Sequence, residues 1–136
     1  MSIIEIYNTH CGGEIGDVIV SGDIKLEGQT IFEQSKYLFE NKKLRNFILN
    51  EPRGGVFKHC NLIVPPLDKK ASAGFIIMEP EDNPPMSGSN SICVATVLIE
   101  KNFIKSAEPY TNFTLEAPGG LISINAEVSN KLTKSV

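Results

Sequence analysis

No stretch of this chain is apolar for long enough to cross a bilayer: the longest, Ile92 to Ile99, falls far short of the about 20 residues a spanning helix needs. Nor is there an excess of positive charge. Thirteen Lys and Arg against sixteen Asp and Glu leave a net charge of -3, and the basic residues are scattered. Neither a phosphate backbone nor an anionic lipid surface therefore finds an electrostatic footprint, which excludes nucleic acid and membrane from the expected partners. The opening residues, Met1-Ser2-Ile3-Ile4-Glu5, lack the basic segment, apolar core and small-residue cleavage site of a secretory leader, so a cytoplasmic location is expected.

Cysteine is scarce as well. Cys11, Cys60 and Cys93 are an odd number at spacings that match no disulfide framework, and they read as free thiols in a reducing compartment. Two of them adjoin histidines, in His10-Cys11 and His59-Cys60. Neighbouring residues of a strand point to opposite faces and the spacing fits no usual zinc pattern, so no metal site is expected.

What is present is an ordinary globular composition, 41% hydrophobic and 21% charged over 136 residues, which suits a single domain spanning 1–136 around one core. Ile3 to Thr9 and Asp17 to Val20 read as strands joined through a Cys11-Gly12-Gly13 turn. Thr30 with Glu33 forms a capping box, and a surface helix follows from Ile31 to Glu40 with Ile31, Tyr37, Leu38 and Phe39 as its apolar stripe. A second helix, Lys42 to Leu49, places Leu44, Phe47 and Ile48 on one side and ends before Pro52. Asn61 to Val64, Gly74 to Met78, Phe113 to Glu116 and Leu121 to Val128 are further strands, the last two separated by the Ala117-Pro118-Gly119-Gly120 turn. From Ser89 onward Ile92, Val94, Ala95, Val97, Leu98 and Ile99 leave no polar face, which is the pattern of a buried helix. Ser129 to Val136 is polar and shows no terminating element.

The segment that carries chemistry is Asn83-Pro84-Pro85-Met86-Ser87-Gly88-Ser89-Asn90-Ser91-Ile92. Two prolines stiffen the approach, and a turn of small residues leads straight into the all-apolar helix. The backbone N–H groups of Gly88, Ser89 and Asn90 would carry partial positive charge there, and the glycine lets a ligand come close, which outlines a carboxylate site. The plain alternative is that Ser87 or Ser89 is only an N-cap. Three successive small polar residues are more than a cap requires.

Four motifs in order resemble one family. Thr9-His10-Cys11-Gly12-Gly13-Glu14 is similar to the signature that opens proline racemases, hydroxyproline epimerases and trans-3-hydroxyproline dehydratases. Asn50-Glu51-Pro52-Arg53-Gly54 resembles their Glu-Pro-Arg-Gly turn, Met86-Ser87-Gly88 their Met-Cys-Gly catalytic motif, and Leu115-Glu116-Ala117-Pro118-Gly119-Gly120-Leu121 their Gly-Gly turn. The resemblance implies an α+β fold like one half of diaminopimelate epimerase, a curved, mostly antiparallel sheet wrapped around a central buried helix. It implies a substrate carboxylate held at the helix N-terminus by Gly88, Ser89 and Asn90, a catalytic residue at Ser87, a proline or hydroxyproline as substrate, and no cofactor.

A thiol suits α-proton transfer because it titrates at about 8.5 and a helix N-terminus lowers that value, and at position 87 this chain has a hydroxyl instead. The expected reaction is accordingly dehydration of trans-3-hydroxy-L-proline, with 4-hydroxyproline 2-epimerisation or proline racemisation as the alternative and a non-catalytic module as a further one. The chain matches the N-terminal half of the family pattern. On that reading it is inactive alone and exposes a face that pairs as a homodimer. Four side chains receive structural readings: Cys93 belongs to the core, His10 holds its turn, and Glu51 pairs with Arg53.

Overall fold

A computed structural model describes residues 3–136. The elements run β1 (Ile4–Tyr7), β2 (His10–Cys11), β3 (Glu14–Gly22), α1 (Ile31–Phe39), α2 (Lys42–Leu49), β4 (His59–Val64), β5 (Ala73–Met78), α3 (Gly88–Glu100), β6 (Tyr110–Ala117), β7 (Gly120–Ser129) and β8 (Leu132–Ser135). The strands form one curled sheet in the order β1-β3-β4-β5-β6-β7-β8, with β2 as a short hairpin arm on β3. Among the described residues only β3/β4 and β5/β6 run parallel.

The sheet has helices on both faces, and the residue alternation of its central strands follows from that. Phe75 and Ile77 of β5 join Val18, Leu115, Ile124 and Val128 against α3. Ile76 and Met78, between them, join Ile19, Cys60 and Leu62 against Ile31 and Leu38 of α1 and Leu44, Ile48 and Leu49 of α2. Every residue of β5 is buried as a result, which is why its sequence is an unbroken apolar run. β7 alternates instead, with Ile124, Ala126 and Val128 inside and Asn125 and Glu127 in water. Burying each Val, Leu or Ile of α3 is worth roughly 1.5–3 kcal/mol, so this helix anchors the inner layer.

The outer helices start where their caps dictate. Thr30 Oγ1 accepts the Glu33 N–H at 3.1 Å, and Asn41 Oδ1 accepts the Leu44 N–H at 3.1 Å. Their buried stripes differ from the expected ones. α1 buries Ile31, Ser35 and Leu38, at i, i+4 and i+7, which turns Tyr37 outward. α2 buries Arg45 and Leu49 beside Leu44 and Ile48, and Phe47 is left half exposed as a platform for the Arg53 guanidinium at 4.3 Å. Arg53 therefore stacks on an aromatic ring, and the expected Glu51–Arg53 pair is not among the ion pairs of the described residues. The reading of Ser129 to Val136 is also corrected. Asn130 and Lys131 take positive φ values of 54 and 61°, a two-residue hairpin turn, and Leu132–Ser135 adds β8 to the sheet edge.

Candidate active site

The site grows from the N-terminus of α3. Ser87 is extended (φ -152, ψ 129) and caps the helix, and its carbonyl accepts both the Ser91 N–H at 3.0 Å and the Ser91 hydroxyl at 2.7 Å. Its side-chain oxygen accepts the Asn90 backbone N–H at 3.4 Å and the Asn90 side-chain N–H at 3.0 Å, and lies 3.3 Å from Ser89 Oγ. The N–H groups of Gly88 and Ser89 meet no acceptor among the described residues. A Cβ built on exposed Gly88 would find no atom within 4 Å, so the first turn of the helix borders open space. Two unengaged N–H groups at a helix N-terminus facing such a space can receive a carboxylate.

The loop into α3 is held from two sides. Gly119 N–H donates to Pro85 O at 2.8 Å, and a Cβ on Gly119 would come to 3.0 Å from that same oxygen, which accounts for a glycine in this turn. From behind, the Arg45 guanidinium, 4% exposed, donates to Asn83 Oδ1 and to Glu79 O at 2.7 Å, and stacks on Phe39 at 4.6 Å. Asn83 in turn donates to Ser35 O at 3.1 Å, so both outer helices grip the 79–83 turn.

Beneath Ser87 lies a buried amide pair. Asn61 of β4 and Asn90 are 0% and 1% exposed. The Asn61 nitrogen donates to Asn90 Oδ1 at 2.8 Å and to Gly16 O and Asp17 O at 3.3 Å each. Its own Oδ1 has no partner among the described residues, which costs about 1–3 kcal/mol. Next to Asn90, His59 Nδ1 sits 3.4 Å from Asn90 Nδ2, 3.2 Å from Glu14 Oε1 and 3.6 Å from Glu79 Oε1.

The Thr9-His10-Cys11-Gly12-Gly13-Glu14 hairpin forms the rim. Thr9 Oγ1 donates to Gly16 O at 2.6 Å, and Thr9 N–H donates to the buried Asp17, which also holds Asn8 and Lys58. His10 Nδ1 accepts the Gly13 N–H at 3.2 Å across a turn whose two glycines have positive φ, the structural part expected of it. Cys93 is 2% exposed beneath the hairpin, where burial pushes its thiol up while a hydrogen bond with Thr9 works the other way. It is a core residue and not a ready thiolate.

Ser87, Gly88 and Ser89 thus sit together at the open end of α3, and Asn90 points inward beneath them. His59, Asn61, Glu14 and Glu79 were not expected here. Asn61 carried one signal, a polar residue inside an apolar strand. His59 had none beyond its adjacency to Cys60.

Comparison with known proteins places these features. The family model described as proline racemase matches residues 6–136. The structure of a hydroxyproline epimerase from Agrobacterium vitis with bound trans-4-hydroxy-L-proline superposes at a TM-score of 0.90 with 38% identity, over 96% of this chain and 39% of that one. A probable proline racemase from Agrobacterium radiobacter K84 with bound carbonate gives 0.90 and 39% over the same shares. A methylitaconate-delta-isomerase, at a TM-score of 0.67 and 19% identity over 98% of this chain and 36% of that one, shares the fold alone. The chain spans about two fifths of the length of these structures.

Proposed function

Because the chain belongs to the proline racemase family, we propose that it forms one wall of an enzyme that inverts C2 of a free 4-hydroxyproline by removing its α-proton and returning one to the opposite face. The observation that carries this reading is the pairing of Ser87 with the unengaged Gly88 and Ser89 amides at the open end of α3. Those amides and the helix dipole take the carboxylate, which also disperses the charge that develops beside it when the α-proton leaves. Ser87 then faces the α-carbon. A base on a second half, as the resemblance implies, removes the proton from the far side, and Ser87 delivers one on the near side. The 38% identity to an epimerase that carries trans-4-hydroxy-L-proline supports the choice of substrate.

A second reading rests on the same oxygen. A hydroxyl at position 87, where a thiol would make a better base, can instead hydrogen-bond to or protonate a departing β-hydroxyl, which favours dehydration of trans-3-hydroxy-L-proline. The test joins this chain to the second half of the Agrobacterium vitis epimerase and supplies each hydroxyproline in heavy water. The epimerase reading expects C2-inverted 4-hydroxyproline bearing deuterium at C2. Faster loss of water from the 3-hydroxy compound would replace it with the second reading, and turnover of neither would remove both.

A further inference from the structure

Resting on the reading just given, we propose that Asn90 is a positioning residue: held by Asn61, it fills both lone pairs of the Ser87 oxygen and so commits the Ser87 hydroxyl to donate on the ligand side of α3. The chain of orientation begins at two backbone carbonyls. The Asn61 side-chain atom facing Gly16 O and Asp17 O, at 3.3 Å from each, has to be the amide nitrogen, because carbonyl oxygens only accept. That nitrogen also meets Asn90 at 2.8 Å, which fixes Asn90 Oδ1 on the Asn61 side and turns its NH2 toward Ser87. The arrangement is locked by its asymmetry. Three acceptors surround the Asn61 nitrogen and its Oδ1 has no partner, so a reversed amide would set oxygen against two carbonyl oxygens.

A hydroxyl oxygen has two lone pairs and one proton. Asn90 occupies both lone pairs, through its side-chain nitrogen at 3.0 Å and its backbone nitrogen at 3.4 Å. The Ser87 proton is left with Ser89 Oγ at 3.3 Å or the open space before Gly88. In the first case the Ser89 hydroxyl becomes the outward donor. In both, a donor is presented where a ligand would lie. With the two asparagines at 0% and 1% exposure, the Asn61–Asn90 bond that orients this amide is closed to water.

The chemistry follows from the same contacts. When Ser87 protonates the α-carbon, its O–H bond breaks, a C–H bond forms, and the oxygen keeps the electron pair as an alkoxide. Two Asn90 N–H groups already point at that oxygen, and the α3 N-terminus adds positive potential. In the reverse direction the alkoxide takes the α-proton of the other epimer and the hydroxyl is restored.

Two measurements test the assignment. In the isotope-labelled chain, the side-chain amide protons of Asn90 should exchange with solvent about 100-fold more slowly than those of exposed Asn102. Ser87→Ala should speed one of them about tenfold. Exchange as fast as that of Asn102, or unmoved by Ser87→Ala, overturns the proposal. In the two-half enzyme, Asn90→Asp keeps the shape but turns the donor into an acceptor, so the Ser87 proton points inward. Inversion should fall about 100-fold while α-deuterium exchange without inversion continues. Asn90→Ala, which only frees the hydroxyl, should lose about tenfold, and in a Ser87→Ala background the two changes should cost the same. Asp milder than Ala would mean that Asn90 merely fills space, and would overturn the assignment. A wild-type enzyme inactive on every hydroxyproline sinks the functional reading instead, and the amide exchange then decides the positioning role alone.

Discussion

Gly16 carries no side chain because Cys93 of the core and Asn90 of the site occupy the place where one would be. A Cβ there would lie 2.8 Å from Cys93 Sγ and 3.0 Å from Asn90 Oδ1. Gly16→Ala is therefore expected to destabilise the chain by roughly 1–3 kcal/mol through overpacking, with a lower thermal midpoint. A change of midpoint within experimental scatter would show that β3 can shift away from α3 freely. Cys60 gives a pH-dependent counterpart. It is fully buried against α1 and α2, and burial chiefly, then Asp17, pushes its thiol up to about 12. The folded state thus keeps its proton after the unfolded chain has lost one near the usual value of about 8.5. The contribution is complete below that value and is lost as pH rises toward 12, by about 1.4 kcal/mol per pH unit. In denaturant titrations from pH 8 to 11 the wild type should lose stability more steeply than Cys60→Ala, by about 1.4 kcal/mol per pH unit, and equal slopes would contradict it.

At the level of elements, β8 hangs on a turn made by residues that adopt it reluctantly. Lys131 has φ 61°, a left-handed conformation that costs a side chain about 1–2 kcal/mol and glycine nothing. Lys131→Gly converts the turn to Asn-Gly, keeps the backbone N–H that donates to Glu108 Oε1 at 2.8 Å, and should stabilise the chain by about 1 kcal/mol. A lower thermal midpoint would contradict the turn assignment. Arg45 is the opposite case, since Arg45→Met strips the 79–83 turn of its donors. Each orphaned acceptor should cost roughly 1–3 kcal/mol in urea unfolding. A variant as stable as wild type would mean that water replaces the guanidinium.

These two elements also mark what can be read in advance. α2 is legible to its ends because Asn41 caps it and Pro52 follows it closely, and β5 because an unbroken apolar, β-branched run bounded by proline suits a strand covered on both faces. β8 is not legible, for Leu-Thr-Lys-Ser has no strong alternation and Asn-Lys is a weak turn signal. Ser87 and Gly88 were legible through local chemistry and a family resemblance. His59, Asn61, Glu14 and Glu79 were not, since β3, β4 and the end of β5 bring them together from distant positions and no local spacing records that.

For the whole molecule, the two-faced sheet has one consequence for function. α1 and α2 cover the outer face and grip the loop that enters α3, while α3 fills the inner face and presents its N-terminus at one open end. A site built on a buried helix and braced through a second layer is already formed in the ligand-free chain, so the proposed binding of a carboxylate should not wait for a second half. The direct measurement is a nuclear magnetic resonance titration of the labelled 136-residue chain with trans-4-hydroxy-L-proline and, as control, its methyl ester. Saturable shifts of the Gly88 and Ser89 backbone amides are expected with the free acid and none with the ester. Amides of α3 that stay still, or an ester that moves them equally, would contradict that expectation.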